Sequence, residues 1–249
     1  MSGEILTRLP IHRAEINPKS NWYEIYAQKN ENDPVAYLRF VMPLNDPVFK
    51  HPNDSRFITE GLDLQTEQPV AVKVIPKSSN IGRDLGLREA RAMHQIKHHN
   101  AMPLVGLAYT NDAWLIIMPL FKNMSLDKKI QPSIGYGTDG QFDREKATQI
   151  INELAQFIDD LHAEKIHHGN LTIADIYETE SGIIVGDFGS CSLVTGEFNP
   201  RTDIVSLEKI ADSLTANNYS FKKVSNTYST ATEFAGAFEA AISPNGETF

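Results

Sequence analysis

Four short segments, in one order along the chain, carry side chains that can do chemistry. Lys73 lies in an otherwise apolar strand, Glu89 lies in the helix that follows, residues 167–171 read His-His-Gly-Asn-Leu, and Asp187 opens an Asp-Phe-Gly tripeptide. Each signal is weak alone. Lys73, for example, also fits an edge-strand lysine whose stem lies along apolar surface. Together, in this order, they are a strong signal.

The order and spacing of these segments resemble the protein kinase superfamily over roughly residues 51–215. The resemblance implies an α+β, protein-kinase-like two-lobed fold with a truncated helical C-lobe. It implies that Lys73 holds the α- and β-phosphates of ATP, that Glu89 orients Lys73, and that Asp187 binds Mg²⁺ or Mn²⁺. The segment around Asp203 is similar to the kinase helix that anchors the catalytic loop from below.

The resemblance also implies where the nucleotide binds. Residues 113–120 are similar to the kinase strand and hinge against which adenine stacks and forms hydrogen bonds. Ala71, Met118 and Ile58 are the residues expected to line this nucleotide site. The site is expected between the two lobes, where clefts between domains commonly bind small molecules.

The catalytic loop departs from the kinase pattern. In place of H-R-D-L-x-x-x-N the chain has residues 168–175, His-Gly-Asn-Leu-Thr-Ile-Ala-Asp. Asn170 occupies the position of the catalytic base, where it would orient the substrate hydroxyl but cannot accept its proton as a carboxylate does. Asp175 occupies the second metal-binding position. Gly169 replaces arginine, so activation through a phosphorylated loop that contacts this arginine is not expected.

The glycine-rich loop that covers the phosphates in kinases is missing. Counted back from the strand lysine, its glycines fall at His51, Asn53 and Arg56. Residues 51–55 contain turn formers but cannot let the backbone approach phosphate as glycine does. Phosphate cover is left to Ser55, to Arg56 or to no residue of this segment.

The chain after Asp-Phe-Gly is short. Only 13 residues, 190–202, precede Asp203, no A-P-E follows, and only a helix over about 231–242 is expected after the anchoring helix. Compact kinase-like effectors that bacteria deliver into host cells are similar in this shortened C-terminal part. By this fold-level analogy, the expected protein substrate or partner includes a protein of a host cell.

Two other histidine patterns have structural interpretations. His94 and His98 lie four residues apart, a spacing that can hold a metal, but no third ligand is evident and surface or packing roles are favoured. His168 matches the kinase histidine that packs under Phe188.

Hydrophobic periodicity predicts a strand-rich half followed by a helix-rich half, with the join near 119–124. The predicted strands are 22–29 and 35–42 (a hairpin), 56–64, 69–75, 104–109 and 113–118, with a helix over 83–96; then come a helix over 143–162, short strands around 176 and 183–185, and helices over 203–214 and 231–242. The corresponding domains are 1–50 (an N-terminal extension or part of the N-lobe), 51–120 (N-lobe) and 121–249 (shortened C-lobe).

Composition limits the class of protein. The 249 residues contain one cysteine, which excludes an intramolecular disulfide and any zinc site that needs two thiolates. The formal net charge of -9 disfavours general nucleic-acid binding. There is no run of 18 apolar residues and no apolar signal segment near Met1, so a soluble, cytoplasmic protein without a membrane span is expected.

Two functions of different classes follow from these residues. The first is an atypical protein kinase that moves the γ-phosphoryl group of ATP to a Ser, Thr or Tyr hydroxyl at a low rate. The second is a pseudokinase that binds nucleotide or a partner without turnover. The charged trio Lys73, Glu89 and Asp187 favours the enzyme, whereas Asn170 and the missing glycines favour the binding module. Transfer to a small alcohol, or transfer of AMP, is a minor third option.

Overall fold

The computed structural model of the chain describes residues 11–17, 22–27, 37–43, 47–50, 56–64, 66–77, 80–122, 125–130, 142–193, 199–215 and 228–243, with backbone strands alone before residue 51. The chain forms two compact units. The first unit is made from the chain up to Lys97 together with Met102–Phe121, and the second from His98–Ala101 and the chain from Lys122 onward.

The first unit is built on one eight-stranded sheet. Its spatial order is β3-β2-β1-β7-β8-β6-β5-β4, and β3 also pairs with β5, so that seven of the strands close into a ring. Among the described strands of this sheet, only β1 and β7 pair in parallel. The strands are β1 (Ile11–Asn17), β2 (Trp22–Ala27), β3 (Tyr37–Pro43), β4 (Pro47–Lys50), β5 (Phe57–Asp63), β6 (Gln68–Pro76), β7 (Gly106–Tyr109) and β8 (Ala113–Pro119).

The central strands of the sheet agree with the sequence prediction, but the N-terminal part of the chain forms two strands that were not predicted. The predicted hairpin is confirmed, because β2 and β3 pair antiparallel. β1 and β4 are absent from the sequence prediction, and both pair into the same sheet. The predicted turn at residues 30–34 lies outside the described residues. The chain before residue 51 therefore contributes strands to the sheet of the first unit.

The central strand β6 is buried on both faces. One face packs into an apolar cluster, and the opposite face is covered by the helix α1 (Asn80–Gln95), which packs against β6 and β8. Gly86 allows this close approach, since a Cβ there would lie 2.8 Å from the Cβ of Trp114. The apolar cluster contains Val70, Val72, Val74, Ala108, Leu115 and Ile117.

The second unit is built around a 20-residue helix. Its elements are α2 (Leu126–Ile130), α3 (Arg144–Ala163), β9 (Ile166–His167), the 3-10 turn Ile173–Asp175, β10 (Ile176–Thr179), β11 (Gly182–Val185), the 3-10 turn Phe188–Ser190, β12 (Ser192–Leu193), α4 (Arg201–Thr215) and α5 (Ala231–Ile242). β10 pairs with β11, and β9 with β12.

Helix α3 is the predicted helix over 143–162, and side-chain capping defines its start. The Asp143 carboxylate accepts a hydrogen bond from the Lys146 amide at 2.8 Å, which satisfies one of the unpaired donors at a helix N-terminus. Its apolar face is buried against α4 and α5. The Asp159 carboxylate of α3 accepts hydrogen bonds from the amides of Ala231 and Thr232 and so caps α5. Among the described residues, no helix is both long and apolar enough to span a membrane.

Candidate active site

The first unit holds a buried ion pair on one face of its sheet. Lys73 lies in the middle of β6 and Glu89 in α1, and the Lys73 Nζ lies 2.8 Å from the Glu89 Oε1. Only 8% of Lys73 and 2% of Glu89 are exposed. Charges this deeply buried are stable only when they are paired and hydrogen-bonded. The structure thus brings together the two residues that the sequence pattern couples.

The predicted nucleotide-lining residues share the face of the sheet that carries Lys73. Ala71 lies directly opposite Met118 on β8, and Lys73 lies directly opposite Ile58 on β5. Residues two apart on a strand, and residues directly opposite each other on neighbouring strands, point to the same face. Ala71 and Met118 are buried, and Ile58 is half-buried. They form a mostly apolar surface that ends at a lysine.

A buried carboxylate in the second unit holds the catalytic loop. Asp203, in the first turn of α4, accepts hydrogen bonds from the amides of His168 (3.0 Å) and Gly169 (2.8 Å). The anchoring role predicted for Asp203 is confirmed. Burial alone would raise the pKa of Asp203, but the hydrogen bonds from His162, Gly169 and His168 outweigh it and hold the pKa below its ordinary value. Asp203 is therefore ionised at neutral pH.

His168 connects the catalytic loop to the Asp-Phe-Gly segment. Its side chain is fully buried, its Nε2–H donates to the carbonyl oxygen of Gly186 at 3.1 Å, and its ring lies 5.4 Å from the ring of Phe188. The predicted packing of His168 against Phe188 is confirmed. Burial lowers the pKa of His168, so the imidazole is neutral at neutral pH and acts as a packing group with one donor.

The strand before Asp187 is fixed by Asn100. The buried Asn100 side chain donates from Nδ2 to the carbonyl oxygen of Ile183 (2.8 Å), and the backbone carbonyl of Asn100 accepts the Val185 amide (2.6 Å). Asp187 follows with φ 55° and ψ 61°, in the left-handed region. A non-glycine residue in that region costs about 1–2 kcal/mol, and such strain concentrates at functional sites. Asp187 itself is exposed.

Asp175 is oriented by its own turn. Its Oδ2 accepts hydrogen bonds from the amide (2.9 Å) and the hydroxyl (2.7 Å) of Thr172, and its carbonyl accepts the Gly186 amide at 2.8 Å. This last bond joins the catalytic loop to the residue before Asp187. Two carboxylates on adjoining segments suit Mg²⁺ or Mn²⁺, which bind oxygen ligands, so these residues fit the metal that accompanies a nucleotide.

Comparison with known proteins identifies the family. Residues 57–233 match the family model described as Protein kinase domain. The chain belongs to the protein kinase family. Its α+β architecture is a compact kinase-like fold.

Curated relatives match about half of this kinase chain. Human "Serine/threonine-protein kinase H1" is 28% identical over 131 residues, which are 51% of the chain and 30% of the relative. Mouse "Hormonally up-regulated neu tumor-associated kinase" is 26% identical over 151 residues, 57% of the chain and 20% of the relative. A probable cell division protein kinase of Encephalitozoon cuniculi is 25% identical over 134 residues, 53% of the chain and 47% of the relative. The matched segment spans less than half the length of each of these relatives.

The structure explains the glycine that replaces arginine in the kinase catalytic loop. Gly169 has φ +83°, and a Cβ there would lie 2.8 Å from the backbone oxygen of Ser190. A larger side chain fits neither this backbone conformation nor this contact. Asn170, the next residue, is exposed at the position where the kinase pattern places its base.

Other predicted phosphate contacts are described only in part. His51, Asn53 and Ser55, and residues 194–198 of the segment after Asp-Phe-Gly, lie outside the described residues. Arg56 is half-buried immediately before β5.

His98 follows the end of α1 at Gln95 and lies 3.0 Å from the Asp160 carboxylate, so His94 and His98 do not share a helix face.

Sequence reasoning missed three residues that shape this site: Thr172, Ser190 and His162. Thr172 carries a readable signal, since Thr-x-x-Asp is a capping-box spacing, and the structure forms that box. Ser190 contacts Gly169, and His162 contacts Asp203. In both cases the two residues are distant in sequence. No local pattern indicates either of them.

Proposed function

We propose that this chain is an ATP-dependent phosphotransferase that moves the γ-phosphoryl group to a protein hydroxyl at a low rate. The observation that carries the proposal is the buried Lys73–Glu89 pair at 2.8 Å. Replacing a buried ion pair by apolar residues of similar volume is often neutral or stabilising, so core packing alone does not call for these charges. A lysine held by a glutamate is what a kinase uses to position the α- and β-phosphates.

The second unit supplies the acidic residues that this chemistry needs. Asp187 and Asp175 would hold Mg²⁺ or Mn²⁺, which when bound neutralises charge on the phosphate oxygens. Thr172 orients the Asp175 carboxylate, and the backbone bond from Gly186 to Asp175 keeps both segments together. Asp203 fixes the amides of His168 and Gly169, and thereby the position of Asn170.

Asn170 sets the expected rate. Its amide can hydrogen-bond to a substrate hydroxyl and orient it, but cannot take the proton. Removing general-base help lowers a rate by about 10²–10⁴-fold. Phosphoryl transfer depends mainly on positioning and electrostatic stabilisation, so turnover survives at a reduced rate.

The acceptor class is proposed from the relatives. One of them carries the name of a serine/threonine protein kinase. A protein Ser or Thr hydroxyl is therefore the first acceptor to test, with Tyr as the comparison. Asn170, being exposed, can reach an acceptor on another protein.

Nucleotide binding is the first requirement of the proposal. ATP at ~100 times its dissociation constant adds about 2.7 kcal/mol to the free energy of unfolding, or about 5–11 °C in Tm for a chain of this size. The shift should need Mg²⁺ or Mn²⁺ and should fall in the Asp187→Ala variant. No shift with either metal at saturating ATP would overturn the proposal.

A second function, a pseudokinase that presents a binding surface, is favoured by Asn170, which replaces the base of the kinase pattern, and by the missing glycine-rich loop. This alternative predicts the same ATP-dependent rise in Tm without phosphate transfer to any acceptor. Transfer, not binding, separates the two functions.

A further inference from the structure

We propose that His162, His167 and Asp203 bind one Zn²⁺ ion at the base of the catalytic loop. These residues are separate from Lys73, Asp175 and Asp187, which the phosphotransfer proposal uses. One ligand atom of each of the three lies within 4.8 Å of the others. The site does not depend on phosphotransferase activity.

Three different elements deliver the ligands. His162 lies in the last turn of α3, His167 in β9, and Asp203 in the first turn of α4. The short connection between α3 and β9 keeps the two histidines close, with their ring centroids 5.6 Å apart. Both rings approach the same oxygen, Oδ2 of Asp203.

The spacing of the ligand atoms fits a tetrahedral ion. The Asp203 Oδ2 lies 2.9 Å from the His162 Nε2 and 3.6 Å from the His167 Nδ1. The second separation is too long for a hydrogen bond. Two ligands that are each ~2.0–2.1 Å from a tetrahedral zinc ion lie about 3.4 Å apart, between the two observed values. The two histidine nitrogens lie within 4.8 Å of each other, so the imidazole rings would rotate to place all three atoms on one ion.

The donor set favours zinc over magnesium. Two imidazole nitrogens and a carboxylate oxygen are common zinc ligands, whereas Mg²⁺ takes oxygen ligands. The Asp203 side chain is fully buried, while 9% of the His162 side chain and 15% of the His167 side chain are exposed. In the proposed site a water supplies the fourth ligand. His162 would then carry its proton on Nδ1.

Zinc at this position would act on the catalytic loop through Asp203. The Oδ1 of Asp203 accepts the Gly169 amide, and Oδ2 accepts the His168 amide. A metal bound to Oδ2 replaces the hydrogen bond from His162 and leaves both amide contacts in place. Bound zinc would therefore hold the carboxylate, and with it the loop that presents Asn170.

The experiment titrates the purified full chain, stripped of metal with a chelator, with ZnCl₂ while calorimetry and Tm are recorded. One Zn²⁺ per chain should bind, and excess MgCl₂ should not compete. The His167→Gln variant should bind zinc about 100-fold more weakly, since the loss of even outer-shell partners costs about 10–100-fold. Asp187→Ala and the matched control His99→Gln, which changes an exposed histidine outside the cluster, should bind zinc as the wild-type chain does.

Cobalt provides a readout that does not depend on a variant. Co²⁺ in a tetrahedral site with nitrogen ligands shows intense visible absorption, which Zn²⁺ should remove by competition. If His167→Gln fails to fold, this spectrum of the wild-type chain decides. No zinc binding by the wild-type chain, or equal affinity of His167→Gln and His99→Gln, would overturn the proposal.

Discussion

Replacing Gly169 by alanine tests the local geometry of the catalytic loop. The added Cβ would lie 2.8 Å from the Ser190 carbonyl oxygen, which belongs to the backbone and cannot rotate away. A non-glycine residue at φ +83° costs about 1–2 kcal/mol, and overpacking adds about 1–3 kcal/mol. The lower entropy of the unfolded chain offsets about 0.4–1 kcal/mol. We expect Gly169→Ala to lower the free energy of unfolding by about 1–5 kcal/mol.

The assay is urea unfolding at neutral pH, with Gly236→Ala as the matched control. Gly236 is exposed in α5, and apart from its chain neighbours and the backbone of its own helix no described atom lies within 4 Å of a Cβ built there. Alanine at that position should stabilise the chain by about 0.5–1 kcal/mol, because it is the better helix former. If Gly169→Ala unfolds within about 0.5 kcal/mol of wild type, the range of neutral surface substitutions, the close approach of Gly169 and Ser190 is wrong.

Three further perturbations test the site and its surroundings. Lys73→Met should lower the free energy of unfolding by about 3–5 kcal/mol, because it leaves Glu89 buried without this partner. Combining it with Glu89→Leu should recover most of that loss in urea unfolding, while neither variant gains Tm with ATP. Asn170→Asp should raise phosphotransfer about tenfold, measured with labelled ATP. Burial would raise the pKa of Glu178, but hydrogen bonds from Lys129 and Lys146 outweigh it and lower this pKa. The Glu178 carboxylate therefore stabilises the chain at pH values above its ordinary pKa of 4.5, and this stabilisation is lost as the pH falls below that value. Glu178→Gln should cost at most about 1 kcal/mol at neutral pH and nothing in acid, measured by urea unfolding at each pH.

Each of these three has an outcome that contradicts it. If the double variant is no more stable than Lys73→Met alone, the buried pair is not what the single change disrupts. An unchanged rate in Asn170→Asp means that proton transfer does not limit the reaction. A constant difference between Glu178→Gln and wild type from neutral to acid pH would show that ionisation of Glu178 does not contribute to stability.

The sequence predicts the parts of the site that depend on short patterns. Lys73 inside an apolar strand, Glu89 in the next helix and Asp203 after Asp-Phe-Gly each keep a local signature, and the structure pairs or anchors all three. β6 can be predicted because nearly all of six consecutive residues in it are apolar, and all six are buried in the structure. The hairpin of β2 and β3 is readable from aromatic and branched residues on both sides of a turn-forming segment.

The rest depends on contacts that no local pattern encodes. β1 reads Ile-His-Arg-Ala-Glu-Ile-Asn, with few branched residues, and β4 has four residues, so pairing with neighbouring strands decides both. The need for glycine at position 169 comes from Ser190, which lies beyond two strands in the chain. The cluster of His162, His167 and Asp203 forms only when α3, β9 and α4 pack together.

Phosphate transfer from labelled ATP tests the central claim most directly. The wild-type chain is incubated with Mg²⁺ or Mn²⁺ and with peptide libraries centred on Ser, Thr or Tyr, beside the Asp187→Ala variant. A slow, metal-dependent transfer by the wild-type chain and none by Asp187→Ala is the predicted result. Equal transfer by both proteins, or ATP binding without any transfer by the wild-type chain, would contradict the account.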